Sequence, residues 1–155
     1  MKVRDFCSRV VAVAVPSTDL REAARMMREH HVGSLIVIDQ LTGATKPIGI
    51  VTDRDIVVLA VAPGVDPQTL TVREVMRPEL SVLRDDAGVF EAAETMASTG
   101  ARRLPVVTRE GDLIGIVSLD DVMRVLATEL SLLVATVNRS TEREVESRTA
   151  ETAMP

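Results

Sequence analysis

Aromatic side chains are almost missing from this chain of 155 residues: Phe6 and Phe90 are the whole set, with no Tyr and no Trp. Proteins that grip single-stranded nucleic acid stack bases on aromatic rings, so that mode is excluded. Duplex binding lacks its footprint as well, because the formal net charge is −5 and no run of Lys or Arg occurs. Nucleic acid is not an expected partner. Cysteine is scarce too: Cys7 stands alone, which excludes an internal disulfide and a multi-cysteine zinc site and gives no sign of an oxidising compartment. No apolar run approaches the roughly 18 residues of a membrane span. Arg4, Asp5 and Arg9 leave no room for a signal-peptide core at the N-terminus. The expectation is a soluble, unprocessed cytoplasmic protein with no membrane partner.

What is present is a duplication. Gly49-Ile50-Val51-Thr52-Asp53-Arg54-Asp55 returns as Gly115-Ile116-Val117-Ser118-Leu119-Asp120-Asp121. Sliding the chain on itself extends the match without a gap: Val3-Arg4 meets Val72-Arg73, then Glu22, Ala23, Ala24 and Met27 meet Glu91, Ala92, Ala93 and Met96, and Leu35 and Val37 meet Leu104 and Val106. The register changes only after the loop Gln40 to Lys46, whose counterpart Arg109 to Asp112 is shorter, as a surface hairpin tolerates. One such repeat is marginal by itself, so the two are expected to pack as one unit.

Within the first repeat, Val10 to Val15 is apolar and β-branched and reads as a strand. Pro16-Ser17-Thr18-Asp19 then supplies turn and N-cap residues, with Asp19 and Glu22 at capping distance. Leu20, Ala23, Ala24 and Met27 follow at i, i+3, i+4, i+7, the apolar face of a helix whose wet face holds Arg21, Arg25 and Arg28. Gly33 is placed to turn the chain into a strand from Leu35 to Asp39. A strand from Ile48 to Val51 and a helix from Asp53 to about Ala62 complete the unit. The second copy predicts strand Leu80 to Leu83, helix Val89 to Ser98, strands Leu104 to Thr108 and Leu113 to Val117, and a helix from Leu119. The pattern β-α-β-β-α, twice, predicts an α+β fold of two pseudo-twofold-related repeats packed through small sheets. The first repeat with its linker occupies residues 1–66 and the second 67–137. Residues 138–155 form a polar tail, expected to be a frayed helix end or disordered.

Thr52-x-x-Asp55 and Ser118-x-x-Asp121 carry the spacing of a capping box, which needs no ligand. Both follow the tripeptide Gly-Ile-Val, a far more specific context than the cap alone. A helix N-terminus offers N–H groups and a partial positive charge to phosphate, and a nearby carboxylate can accept hydrogen bonds from a sugar diol. A nucleotide supplies both groups.

On these residues the duplicated plan resembles a tandem pair of cystathionine β-synthase (CBS) domains, also called a Bateman module, over residues 3 to about 130. The family's mark is a strand ending in Gly-h-h-Ser/Thr-x-x-Asp, with h hydrophobic, and both copies keep it. The resemblance implies that Asp55 with Thr52, and Asp121 with Ser118, face ribose hydroxyls and phosphate. Arg102-Arg103-Leu104-Pro105-Val106 resembles the phosphate-contacting segment of the regulatory γ subunit of AMP-activated protein kinase. The first copy departs from this, with Gly33-Ser34-Leu35-Ile36-Val37 in its place. In the family's geometry each cleft receives side chains from the other repeat, which implies that Arg102 and Arg103 serve the cleft of Thr52 and Asp55. Adenine is then expected between Ile50 and Val82, and each arginine can make charge-assisted hydrogen bonds to phosphate. A solvated hairpin edge is the alternative reading of the two arginines.

His30 and His31 are neighbours and lack the partners of a metal site, so a helix-end role is expected, with His31 leaning toward the Asp121 cleft as the resemblance implies. Cys7 aligns with Met76 and reads as a small apolar residue. No catalytic constellation and no metal site is visible, and no cofactor is required. The resemblance implies a stand-alone sensor that binds an adenine nucleotide as regulatory ligand, with AMP ranked before ADP or ATP and S-adenosylmethionine last, and that signals by contact with an unidentified protein. The rival is a structural or interaction module with vestigial clefts. A homodimer is expected, because Ile56-Val57-Val58-Leu59-Ala60-Val61-Ala62 is apolar on every side and Val122-Met123-Arg124-Val125-Leu126-Ala127 continues an apolar stripe through Leu130, Leu133 and Val137.

Overall fold

In the computed structural model, which describes residues 1–39 and 45–152 with side chains as far as residue 140, the two repeats build two three-stranded sheets on one plan. The first sheet holds β1 (Val13–Ala14), β2 (Ser34–Asp39) and β3 (Lys46–Thr52), with α1 (Leu20–His30) crossing from β1 to β2. β1 runs parallel to β2, and β3 antiparallel to it. The second sheet repeats this with β4 (Leu83–Arg84), α4 (Val89–Thr99), β5 (Arg103–Val107) and β6 (Leu113–Ser118). The α+β class and the twofold plan match the reading of the sequence. Of the first hairpin loop, Gln40 to Ala44 lie outside the described residues.

Several elements differ from expectation for physical reasons. β1 and β4 are shorter than the apolar runs that announced them, because only two residues of each pair with the neighbouring strand. In α1 the Asp19 carboxylate accepts from the Glu22 N–H at 2.8 Å, as its spacing predicts. Leu20, Ala23 and Met27 are buried there, while Ala24 is exposed and Met26 packs on the core instead. The turn after α1 is made by His31 and not by Gly33: His31 adopts the left-handed conformation at φ 53°, as Gly100 does at φ 67° in the second copy. Gly33 serves the start of the helix after Thr52, its carbonyl accepting from the Asp53 N–H at 3.0 Å. The helix after Thr52 is α for one turn only (α2, Asp53–Ile56) and then widens to a π turn over Val57–Val61. Nothing in that apolar run accounts for the widening. Ile56 and Ala60 stay buried, whereas Val57, Val58, Leu59 and Val61 face outward. The helix from Leu119 (α5, Leu119–Thr152) runs 34 residues and takes in most of the polar tail; residues 153–155 lie outside the described part. Among the described residues no helix is long and apolar enough to cross a membrane.

The repeats also exchange their leading segments. The first core gathers Leu20, Ala23, Met27, Leu35, Val37 and Val51, and it is completed by Val72 and Val75 of α3 (Val72–Val75), from the start of the second copy. The second core, around Leu83, Met96, Leu104, Val106 and Val117, is completed by Val3, with Phe6 and Cys7 packed on it. Backbone bonds fix the exchange: Val3 N–H donates to Ala87 at 2.9 Å and Val72 N–H to Thr18 at 2.8 Å. Ser8 and Ile116 exchange both their N–H and carbonyl groups, as do Arg77 and Ile50. The glycine of each Gly-Ile-Val tripeptide is what lets the visitor approach. A Cβ on Gly49 would stand 2.9 Å from the Arg77 carbonyl oxygen, and one on Gly115 would stand 2.7 Å from that of Ser8.

Candidate functional site

Thr52 ends β3 in extended backbone and caps α2. Asp55 Oδ2 accepts from the Thr52 N–H at 3.0 Å and from its hydroxyl at 2.7 Å, and the Asp55 N–H donates to Thr52 Oγ1 at 3.2 Å. The box predicted from spacing is therefore closed on itself. Asp53 N–H bonds Gly33, and Arg54 N–H bonds Asp53 Oδ1 at 2.7 Å. All four N–H groups from Thr52 to Asp55 are satisfied within the protein. The phosphate-binding helix end that the sequence suggested has no free donor here, so recognition of an anion falls to side chains.

Those side chains are arginines. An open cleft of about 1080 Å³ between the repeats is lined by Ile50, Thr52 and Arg54 from the first repeat and by Arg77, Arg102 and Arg103 from beyond it. Leu80, Ala101 and Leu104 give it apolar wall, and Asp53 and Glu79 are its acidic members. The cleft thus unites Thr52, Ile50, Arg102 and Arg103, four of the residues singled out in the sequence. Val82 is not on its wall; Leu80 and Ser81 take that place. Asp55 sits just behind the wall, its side chain 8% exposed, and Arg77 Nη2 donates to its Oδ1 at 2.8 Å. Burial pushes the Asp55 carboxyl upward, but the bonds from the Thr52 hydroxyl, from Arg77 and from the Thr52 N–H outweigh it and hold the group below the ordinary carboxylate range.

Sequence reasoning missed Arg54 and Arg77. Their signal lay in the duplication, since each stands where the other copy has a residue of different charge. Position by position, Arg54, Arg77, Arg102 and Arg103 correspond to Asp120, Ser8, Gly33 and Ser34. Gly33 and Ser34 line this same cleft beside Arg102 and Arg103, so the contrast between the copies rests on Arg54 and Arg77 against Asp120 and Ser8.

Around the second cap, Ser118 N–H donates to Asp121 Oδ2 at 3.0 Å, the Ser118 hydroxyl bonds the same oxygen, and Arg124 Nη1 reaches Oδ1 at 3.2 Å from the next turn of α5. Burial raises the Asp121 carboxyl, while Ser118 and Arg124 lower it further than burial lifts it. His31 is exposed and occupies the place that Gly100, on the wall of the first cleft, holds in the second copy.

Known proteins share this fold. The CBS domain, as a family, matches the chain twice, over residues 3–61 and 72–128. An uncharacterized protein of Methanopyrus kandleri is 35% identical over 125 residues, which cover 81% of this chain and 62% of that protein. Among solved structures, CBSX2 in complex with AMP superposes with a TM-score of 0.69 at 32% identity, over 82% of this chain and 96% of that one. The CBS domain pair of protein MJ0100, in complex with 5-methylthioadenosine and S-adenosyl-L-methionine, gives a TM-score of 0.70 at 26% identity, over 83% of this chain and 98% of that one.

Proposed function

The chain belongs to the CBS domain family as a pair of its domains, and we propose on that premise that it is a regulatory module which binds an adenine nucleotide in the cleft of Thr52 and signals through contact with another protein. The observation that carries this reading is the rim of Arg54, Arg77, Arg102 and Arg103 on the wall that holds Thr52 and Ile50. Guanidinium groups make the strongest hydrogen bonds to phosphate. Ile50, Leu80 and Leu104 offer adenine an aliphatic surface in a chain almost free of aromatic rings. AMP is the first ligand, then ADP or ATP, and S-adenosylmethionine comes last, because its sulfonium would enter a cationic cleft. The cleft of Ser118 is the weaker site in this reading, because the second copy has Asp120 and Ser8 where Arg54 and Arg77 stand. We assign a second copy of the chain to the outward-facing Val57, Val58, Leu59 and Met123, whose exposure is unfavourable for a lone protein. The protein works in the cytoplasm.

A second reading, an interaction module whose clefts stay empty, is favoured by one feature: Arg77 already occupies the Asp55 oxygen that a ribose would use. Thermal unfolding separates the two. AMP at about 100 times its Kd should add roughly 2.7 kcal/mol of stability and raise the melting temperature by several degrees. A melt unchanged by millimolar AMP, ADP, ATP or S-adenosylmethionine supports the interaction module instead.

A further inference from the structure

Arg77 is held and free at once. Its backbone exchanges two hydrogen bonds with Ile50, at 3.0 and 3.2 Å, which fixes the residue beside the cleft. Its side chain is 62% exposed, whereas the carboxylate it bonds is 8% exposed. Asp55 Oδ2 is taken by Thr52, so Oδ1 is the oxygen left for any incoming hydroxyl, and Arg77 covers it. A ribose that uses Oδ1 must push the guanidinium aside. Stripped of that partner, Arg77 loses a charge-assisted bond and needs another anion in reach. It lies on the same wall as Arg54, Arg102 and Arg103, where a phosphate would sit. Ser8 occupies the matching position of the second copy, where Asp121 Oδ1 is bonded instead by Arg124 of its own helix, at 3.2 Å.

We propose that Arg77 is a specificity latch: it makes a phosphate the condition for ribose binding at Asp55, so that the cleft takes adenine nucleotides and rejects adenosyl compounds that carry no anion on the 5′ side. In the ligand-free protein Arg77 closes Asp55. When a nucleotide enters, the ribose diol takes Oδ1 and Arg77 turns to the phosphate, so the bond lost on one side is replaced on the other. Adenosine and 5-methylthioadenosine offer no replacement, and S-adenosylmethionine sets a sulfonium cation where the phosphate would be, with its carboxylate farther along the chain. The latch rests on the adenine reading above, and it sets the ligand class of that same cleft.

The test is calorimetry on the full chain with adenosine, S-adenosylmethionine and AMP, comparing the parent with Arg77→Ala and Arg77→Lys. Arg77→Ala should bind AMP about tenfold more weakly, the loss of one charge-assisted bond, and should bind adenosine several-fold more tightly because Oδ1 is open. These changes have opposite sign, which a merely structural role would not produce. Arg77→Lys should keep a preference for AMP. Carbon-13 NMR of the carboxylates should show the Asp55 pKa rising in Arg77→Ala, a readout independent of any ligand. If the parent binds AMP and Arg77→Ala weakens both ligands equally, or leaves both unchanged, the latch is overturned while the nucleotide reading stands. If the parent binds neither AMP nor adenosine, both are overturned.

Discussion

The Arg77 guanidinium donates to Asp55 Oδ1 at 2.8 Å, tying a segment from the start of the second repeat to the cap of α2 in the first. One bond thereby joins the exchanged segment to the residue that most resembles a ligand contact. The bonds from the Thr52 hydroxyl and from Arg77 also shape how the fold responds to acid. Asp55 and Asp121 are both held below the ordinary carboxylate range by their partners, against burial. A depressed folded pKa contributes stability above the unfolded value, about 3.9 for Asp, and that contribution is lost as pH falls through the folded value. Denaturant unfolding at a series of pH values should show stability steady near neutrality and falling below about pH 4. Asp55→Asn should flatten part of that acid limb, and a profile identical to the parent's would contradict the role given to Asp55.

The motif glycines should tolerate no side chain. In Gly115→Ala the new Cβ meets the Ser8 carbonyl oxygen at 2.7 Å and the Cys7 Sγ at 2.8 Å, and backbone cannot yield as a flexible side chain would. A loss of about 1 to 3 kcal/mol is expected from such overpacking, read from urea midpoints. Gly88→Ala, with nothing within 4 Å, should be far milder.

The exchange of segments predicts which fragment folds. Residues 1–66 lack Val72 and Val75, which complete the first core, whereas residues 10–77 contain every member of that core. Fragment 10–77 should show the more cooperative melt by circular dichroism. A sharper transition for 1–66 would mean that the crossing segment adds little.

Much of this was legible in the sequence, and the rest was hidden for identifiable reasons. The duplication placed both sheets, the Asp19 cap and the two Ser/Thr-x-x-Asp boxes, because each is a local pattern repeated in register. Arg102 and Arg103 fell into the Thr52 cleft as the family resemblance implied. The exchange of leading segments was not legible, since periodicity says which face of an element is buried and not which repeat buries it. Val3 and Val72 read alike in either home. For the same reason nothing in the sequence singled out Arg77, whose backbone is locked to Ile50. The left-handed turn went to Gly33 by propensity, yet His31 makes it, because the chain reverses immediately at the end of α1.

The outward apolar faces of the π turn and of α5 predict self-association. Light scattering at micromolar concentration should give a dimer mass, and Val58→Glu, at a side chain half exposed in the single chain, should shift it toward monomer without lowering the melting temperature sharply. A monomer mass for the parent removes the second copy from the account.

The central claim is that one cleft, the arginine-lined one, binds an adenine nucleotide, and calorimetric titration of the full chain with AMP tests it most directly. The account predicts one strong site per chain, lost or greatly weakened when Arg102 and Arg103 are both changed to Ala and retained in Asp121→Ala. Two equal sites per chain, or binding that survives the arginine changes and disappears with Asp121→Ala, would contradict it.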